Sequence, residues 1–225
     1  MKFKKYLDYF FFIGRNWNYA LASFTVFHEI RGEQKYNLDT AYTNDLKEEE
    51  IVGSNKKSAF IYQPVNYYIL EKAMKFLIEE KVEGGFVDFG CGYGRILVVA
   101  ARNGFNPVKG VEFVPVFCNE ARKNMQLIKS SLPQLSFEIF CGDATTYSVK
   151  SNENVFCFFN PFDERVMLPV VKNILRSLKE VPRKIYILYF NPSEIEIFLS
   201  AGFKEIFYHQ KLKYLDVSIL VHPGI

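Results

Sequence analysis

The stretch Phe86-Val-Asp-Phe-Gly-Cys-Gly-Tyr-Gly-Arg95 reads as a short apolar strand carrying an acid, Asp88, near its end, followed by glycine at positions 90, 92 and 94. Directly behind it, Ile96-Leu-Val-Val-Ala-Ala-Arg102 has a helical pattern. A strand that breaks into a glycine turn and then a helix is built to cradle a nucleotide cofactor. The glycines let backbone approach the ligand, and the helix N-terminus offers free N–H donors. The spacing is G-x-G-x-G, not the G-x-G-x-x-G of dinucleotide enzymes.

Upstream, Val65, Ile69, Leu70, Ala73, Phe76 and Leu77 recur at helical spacing. They predict a helix over 64–81 with Pro64 in its first turn and Gly84-Gly85 behind its end. Downstream, strands and helices alternate. Strands are expected at 86–89, 108–113, 136–141, 155–159 and 184–190, with helices over 94–103, 116–130, 163–179 and 193–201. Two closing strands, 203–210 and 213–221, have no helix between them, so they pair antiparallel. Regular alternation predicts a mostly parallel sheet covered on both faces. The apolar runs Val155-Phe-Cys-Phe-Phe159 and Ile185-Tyr-Ile-Leu-Tyr189 fit strands buried on both sides.

Ligands in such sheets bind at the carboxyl ends of the strands. Glu112 ends the second strand, about 20 residues past the glycine turn, where an acid reaches ribose hydroxyls. Asp143, in Cys141-Gly-Asp-Ala144, follows the third strand and is placed to accept from an exocyclic adenine amine, although an acid after glycine also suits a turn. Phe159-Asn-Pro-Phe162 follows the fourth strand.

These motifs, V-D-F-G-C-G-Y-G-R, G-V-E-F, G-D-A and F-N-P-F, resemble those of class I S-adenosylmethionine-dependent methyltransferases, in order and spacing, from about Tyr62 to the C-terminus. Tyr-x-Pro before the helix looks more loosely like a bacterial subgroup distantly similar to the non-SET histone lysine methyltransferases. The resemblance implies a Rossmann-like α/β/α sandwich with a seven-stranded sheet of order 3-2-1-4-5-7-6 and an antiparallel seventh strand. It implies S-adenosyl-L-methionine as cofactor. Asp88 and the Gly90–Gly94 backbone would hold its methionyl part, with Phe89, Cys91, Gly92 and Arg95 in the same turn. Glu112 and Phe113 would take the ribose, and Asp143 with Ala144 the adenine. Asn160, Pro161 and Phe162 resemble the Asn/Asp-Pro-Pro-Phe/Tyr motif of N-methyltransferases with one proline missing, which slightly favours nitrogen over oxygen as acceptor. Asn160 would border the methyl position. Tyr62, Asp163 and Glu164 are candidates for a base, with helix capping as the competing role of the two acids. An NAD-dependent oxidoreductase on a doubly wound fold and a non-catalytic cofactor-binding module are the alternatives.

The rest of the chain sets bounds. With 225 residues, 49% of them apolar, it holds one large α/β domain over 58–225 and an N-terminal extension over 1–57, read as partly helical, with substrate gating and a plain packing addition as its two candidate roles. Leu7–Ile13 and Leu21–Ile30 are expected there as short helical or mixed pieces. A net charge of +3 gives no strong nucleic-acid signal. Cys91, Cys118, Cys141 and Cys157 have no paired spacing and read as reduced thiols, which with no evident secretory signal points to the cytoplasm. No run approaches the ~20 apolar residues of a membrane span. His28, His209 and His222 form no metal spacing, so no metal is expected. The methyl acceptor stays open between a protein amine, a small molecule and a glycan.

Overall fold

The two continuous apolar runs lie side by side in the middle of a seven-stranded sheet of order β3-β2-β1-β4-β5-β7-β6. The structure is a computed structural model that describes residues 2–41, 63–159 and 162–224. Its strands are β1 (Gly85–Phe89), β2 (Val108–Glu112), β3 (Phe137–Cys141), β4 (Glu153–Phe159), β5 (Ile185–Phe190), β6 (Lys204–Lys211) and β7 (Leu215–His222). β1 to β5 are parallel, whereas β7 runs antiparallel between β5 and β6. Every residue of β1 and β5 is buried, which is why neither shows apolar–polar alternation.

The period of two survives as a division between two cores. Phe86, Val155, Cys157 and Leu188 face one side, under α3 (Tyr67–Glu79), α4 (Arg95–Arg102) and α5 (Pro115–Lys129). Val87, Phe89, Phe156, Phe158 and Ile187 face the other, under α6 (Glu164–Glu180) and α7 (Ile195–Ser200). β6 is an edge strand with mostly exposed side chains.

Helix α3 starts later than the spacing predicts. Asn66 caps it, its Oδ1 accepting from the Tyr68 N–H at 2.9 Å, so Pro64 precedes the helix. Gly85 belongs to β1 rather than to a helix end: a Cβ there would lie 2.7 Å from the Asn152 carbonyl oxygen.

The N-terminal region departs most from expectation. It forms two full helices, α1 (Lys2–Asn16) and α2 (Tyr19–Tyr36), not short pieces. Asn18 caps α2 through the Leu21 N–H, and Asn37 closes it in the left-handed region at φ 53°. The buried face of α2 carries Thr25, Glu29, Gly32 and Glu33 beside Leu21, Ala22 and Tyr36, so its polar residues hide the helical period. Gly32 lets the Tyr67 ring of α3 lie against the helix; a Cβ there would sit 2.1 Å from the ring. The boundary expected at 57/58 lies outside the described residues.

Arg95 fastens this layer to the sheet. Its Nη1 lies 2.7 Å from Glu29 Oε2 and donates to the Val65 carbonyl at 2.7 Å; its Nε donates to Thr40 Oγ1 at 2.8 Å. Its guanidinium also covers the Tyr67 ring at 4.1 Å. Glu33 joins the cluster, accepting from the Thr40 and Ala41 N–H groups, the Tyr6 hydroxyl and Lys5. Both Arg95 and Glu29 are buried, and breaking such a pair leaves an uncompensated charge. Arg95→Met is therefore expected to lower unfolding free energy by about 3–5 kcal/mol in urea denaturation, and adding Glu29→Gln to recover a large part of that loss.

Candidate functional site

Strand β1 ends in a backbone that only glycine adopts freely. Gly90, Gly92 and Gly94 have φ of 78°, 50° and 78°. The turn is pinned to the end of β2, with the Gly90 and Cys91 N–H groups donating to the Val111 carbonyl at 2.8 and 3.1 Å. Gly94 is the N-cap of α4 and brings no side-chain cap; a Cβ on it would lie 3.3 Å from the Ala121 Cβ of α5. The turn is thus held between β2 and α5, with the uncapped start of α4 behind it.

Two acids stand under this turn. Asp88 is 1% exposed, and neither carboxylate oxygen has a hydrogen-bond partner among the described residues. Its register neighbours are Gly110 and Cys157, the latter offering only a weakly donating thiol. Burial, then the charge of Glu112, pushes the Asp88 carboxyl up to about 8. Glu112 is also buried, and burial raises it as well, against three backbone donors. Its Oε1 accepts from Phe113 and Val114 N–H, and its Oε2 accepts from Gly92 N–H, all at 2.9 Å. Oε2 keeps acceptor capacity for one further donor. A buried pair of acids with one carboxyl unpartnered favours a cationic ligand.

Asp143 caps a single 3-10 turn, Ala144–Thr146, its Oδ1 accepting from the Thr145 N–H and hydroxyl, both at 2.8 Å. It therefore fills the turn role at the end of β3, beside Glu112, the register partner of Cys141. Ala144 is buried behind it.

Other expected residues sit elsewhere. The Arg95 side chain turns from the glycine loop into the helical layer, as described above. Phe89 points into the opposite core and stacks on Phe158 at 5.1 Å, so only its backbone is at the turn. The Cys91 thiol packs against β2, where a Cβ on Gly110 would meet it at 2.5 Å. Phe113 packs with Tyr93, Val114 and Phe117. Phe162, the last residue of the F-N-P-F motif, packs against the α6–α7 core. Asp163 caps α6 and pairs with Arg165 at 2.7 Å, and Glu164 is exposed in the first turn, so both serve the helix. Tyr62, Asn160 and Pro161 lie outside the described residues.

Sequence reasoning missed a cavity of about 340 Å³ over the ends of β4 and β5. Its aromatic walls are Tyr9, Trp17, Phe159, Phe190 and Tyr214, from α1, both strand ends and the β6–β7 hairpin. No local motif marks these residues; folding α1 and α2 over the strand ends brings them together.

No protein-family model matches the chain, and no curated protein matches it in sequence. Solved structures match its fold. An RNA methyltransferase from Salinibacter ruber in complex with S-adenosyl-L-homocysteine is 18% identical, with a TM-score of 0.51 over 72% of this chain and 94% of that one. Magnesium protoporphyrin IX methyltransferase from Synechocystis PCC 6803, with bound SAM, is 16% identical, with a TM-score of 0.51 over 68% and 76%. A ribosomal protein L11 methylase from Lactobacillus delbrueckii subsp. bulgaricus is 14% identical, with a TM-score of 0.50 over 70% and 88%. The chain has the class I methyltransferase fold, with the strand order and antiparallel seventh strand that the sequence motifs implied. No helix among the described residues is long and apolar enough to cross a membrane.

The raised Asp88 has a measurable consequence. In the unfolded chain its carboxyl loses its proton near pH 4, whereas the folded chain keeps it to about 8. The folded state binds the extra proton inside that window, so this group makes stability fall as pH rises from about 4 to 8 and level off above. Asp88→Asn should gain at least about 2 kcal/mol over the parent at pH 8.5 and close to nothing at about pH 3, below the unfolded pKa, measured by urea denaturation in the absence of ligand.

Proposed function

We propose that this protein is an S-adenosylmethionine-dependent methyltransferase. The observation that carries the reading is the buried, unpartnered Asp88 beneath a glycine turn whose three glycines all have positive φ. Such a carboxyl is costly until a cation or donor arrives. The amino group and sulfonium of S-adenosylmethionine are both positive, and a cation arriving beneath the turn would favour the charged form of Asp88, so that Asp88 and Glu112 would together face it as carboxylates. A dinucleotide would bring an anionic pyrophosphate to the same loop and face those acids.

The residues fit the cofactor in the order of the strand ends. Asp88 and the Gly90–Gly94 backbone would hold the methionyl part, and Glu112 Oε2 has room for a ribose hydroxyl. Asp143 and Ala144 would border the adenine. When bound, the cofactor supplies a methyl group on a positively charged sulfur, already activated for displacement by a lone pair. The chain's own task is alignment and exclusion of water, not proton transfer. Asp163 and Glu164 are committed to α6, which supports a reaction that draws no base from that helix. The fold neighbours act on RNA, a porphyrin and a ribosomal protein, so the acceptor is a separate matter from the fold.

S-adenosylhomocysteine should raise the melting temperature, whereas NAD should leave it unchanged. In calorimetry, Glu112→Ala and Gly92→Val should each weaken S-adenosylhomocysteine binding at least about tenfold, or ~1.4 kcal/mol. Stabilisation by NAD alone would overturn the reading.

A further inference from the structure

The cavity over β4 and β5 is bordered on one side by the helical layer and on the other by the β6–β7 hairpin, with Trp17, Lys213 and Tyr214 partly exposed at its rim. Its size is at the small end of the ~300–1,000 Å³ of small-molecule sites. Four uncharged polar residues, Thr25, Gln63, Asn66 and Asn191, interrupt its apolar and aromatic walls. Among the described lining residues one side chain is charged, and it is cationic: Lys213. Lys213 makes no ion pair among the described residues.

The backbone that presents Lys213 is held in a conformation side chains disfavour. Leu212 and Lys213 have φ of 51° and 67°, in a turn closed by the Tyr214 N–H to the Lys211 carbonyl at 3.3 Å. Glycine or Asn-Gly supplies such a turn at low cost, and this chain places leucine and lysine there. Asn191, on the facing wall, is also left-handed at φ 48°. Of the five non-glycine residues with positive φ among those described, two line this cavity and a third adjoins it. Such conformations gather at binding sites, where surrounding structure enforces them.

We infer that the cavity binds a small planar aromatic acceptor carrying an anionic group, which Lys213 recognises. The aromatic walls take the ring, and the uncharged polar groups orient its substituents. The cavity lies at the end of β4, next to the turn that follows β1, so a ring seated there is beside the proposed methyl donor. The name acceptor rests on the methyltransferase reading; the recognition of an aromatic anion does not. An ammonium, such as a protein lysine, would meet Lys213 with no described acid on the cavity wall to offset its charge.

The test uses three 4-hydroxyphenyl probes of similar size and different charge on the full chain: 4-hydroxybenzoate, 4-hydroxybenzamide and 4-hydroxybenzylamine. Binding is followed by calorimetry and by the fluorescence of Trp17, the single tryptophan and itself part of the cavity wall. The benzoate should bind at least tenfold more tightly than the benzylamine, with the benzamide between, and should change Trp17 emission. Lys213→Met should abolish the preference and Lys213→Arg should retain it. Lys213→Gly, which suits the left-handed turn, should fold at least as stably as the parent and still lose the preference. Equal or tighter binding of the benzylamine, no binding of the benzoate at millimolar concentration, or a preference that survives Lys213→Gly would each overturn the inference. Probe titrations are run without cofactor, and S-adenosylhomocysteine binding is measured separately. Intact S-adenosylhomocysteine binding with no benzoate preference removes this inference alone, and the converse removes the cofactor reading alone.

Discussion

The ion pair between Arg95 and Glu29 joins the two parts of the molecule. Arg95 is the last residue of the glycine motif and the first of α4, so its position is set by the turn that follows β1. Its guanidinium leaves the turn and grips α2, the 40 region and the carbonyl of Val65, and it lies on Tyr67, which stacks on Tyr36 of α2. A shift of the glycine turn would pull on this buried charge, and a shift of the helical layer would expose it. Both cost several kcal/mol, so the two move together or not at all. The cavity wall made by α1 and α2 is thereby held in register with the strand ends it covers.

Asp88 and Glu112 set up an opposite tension. The helical layer buries charge with a partner; the strand ends bury carboxyls with too few. Glu112 is stabilised by backbone donors from the glycine turn and from its own strand end, whereas Asp88 has no hydrogen-bond partner among the described residues and only the weakly donating thiol of Cys157 as a register neighbour. The protein bears that cost at the place where its backbone is also confined to left-handed glycine geometry. Consistency between levels breaks at functional sites, and here two departures coincide within seven residues, Asp88 to Gly94.

Most of the sheet was legible because its signals are local. Each strand–helix unit carries its own apolar run and turn, and Glu112 and Asp143 lie at fixed distances behind them. The environment of each acid was not legible. That Asp143 Oδ1 accepts from Thr145, and that neither Asp88 oxygen has a hydrogen-bond partner among the described residues, depends on backbone geometry that the residue types do not encode. The helical layer was misread because Thr25, Glu29 and Glu33 occupy the buried face of α2. Arg95, which pairs with Glu29 and Glu33, lies more than 60 residues away in sequence, so the periodicity that identifies α3 is absent from α2. Arg95 itself was assigned to the cofactor by its place in the motif, yet side-chain direction at the first residue of a helix is set by what packs over it.

The same separation bears on specificity. A sheet that binds a common methyl donor constrains the ends of β1, β2 and β3, and leaves the space over β4 and β5 to whatever the chain adds. Here the additions are α1, α2 and a hairpin turn strained at Leu212 and Lys213. Of the five aromatic residues around the cavity, Tyr9, Trp17 and Tyr214 come from these additions, and Phe159 and Phe190 from the sheet. On the proposed reading, the choice of acceptor falls to segments with no recognisable motif. Charge decides more than shape in a space this small. On the proposed reading, a lysine with no ion pair among the described residues would shift the balance between an anionic and a cationic ring by the sum of an attraction gained and a repulsion avoided.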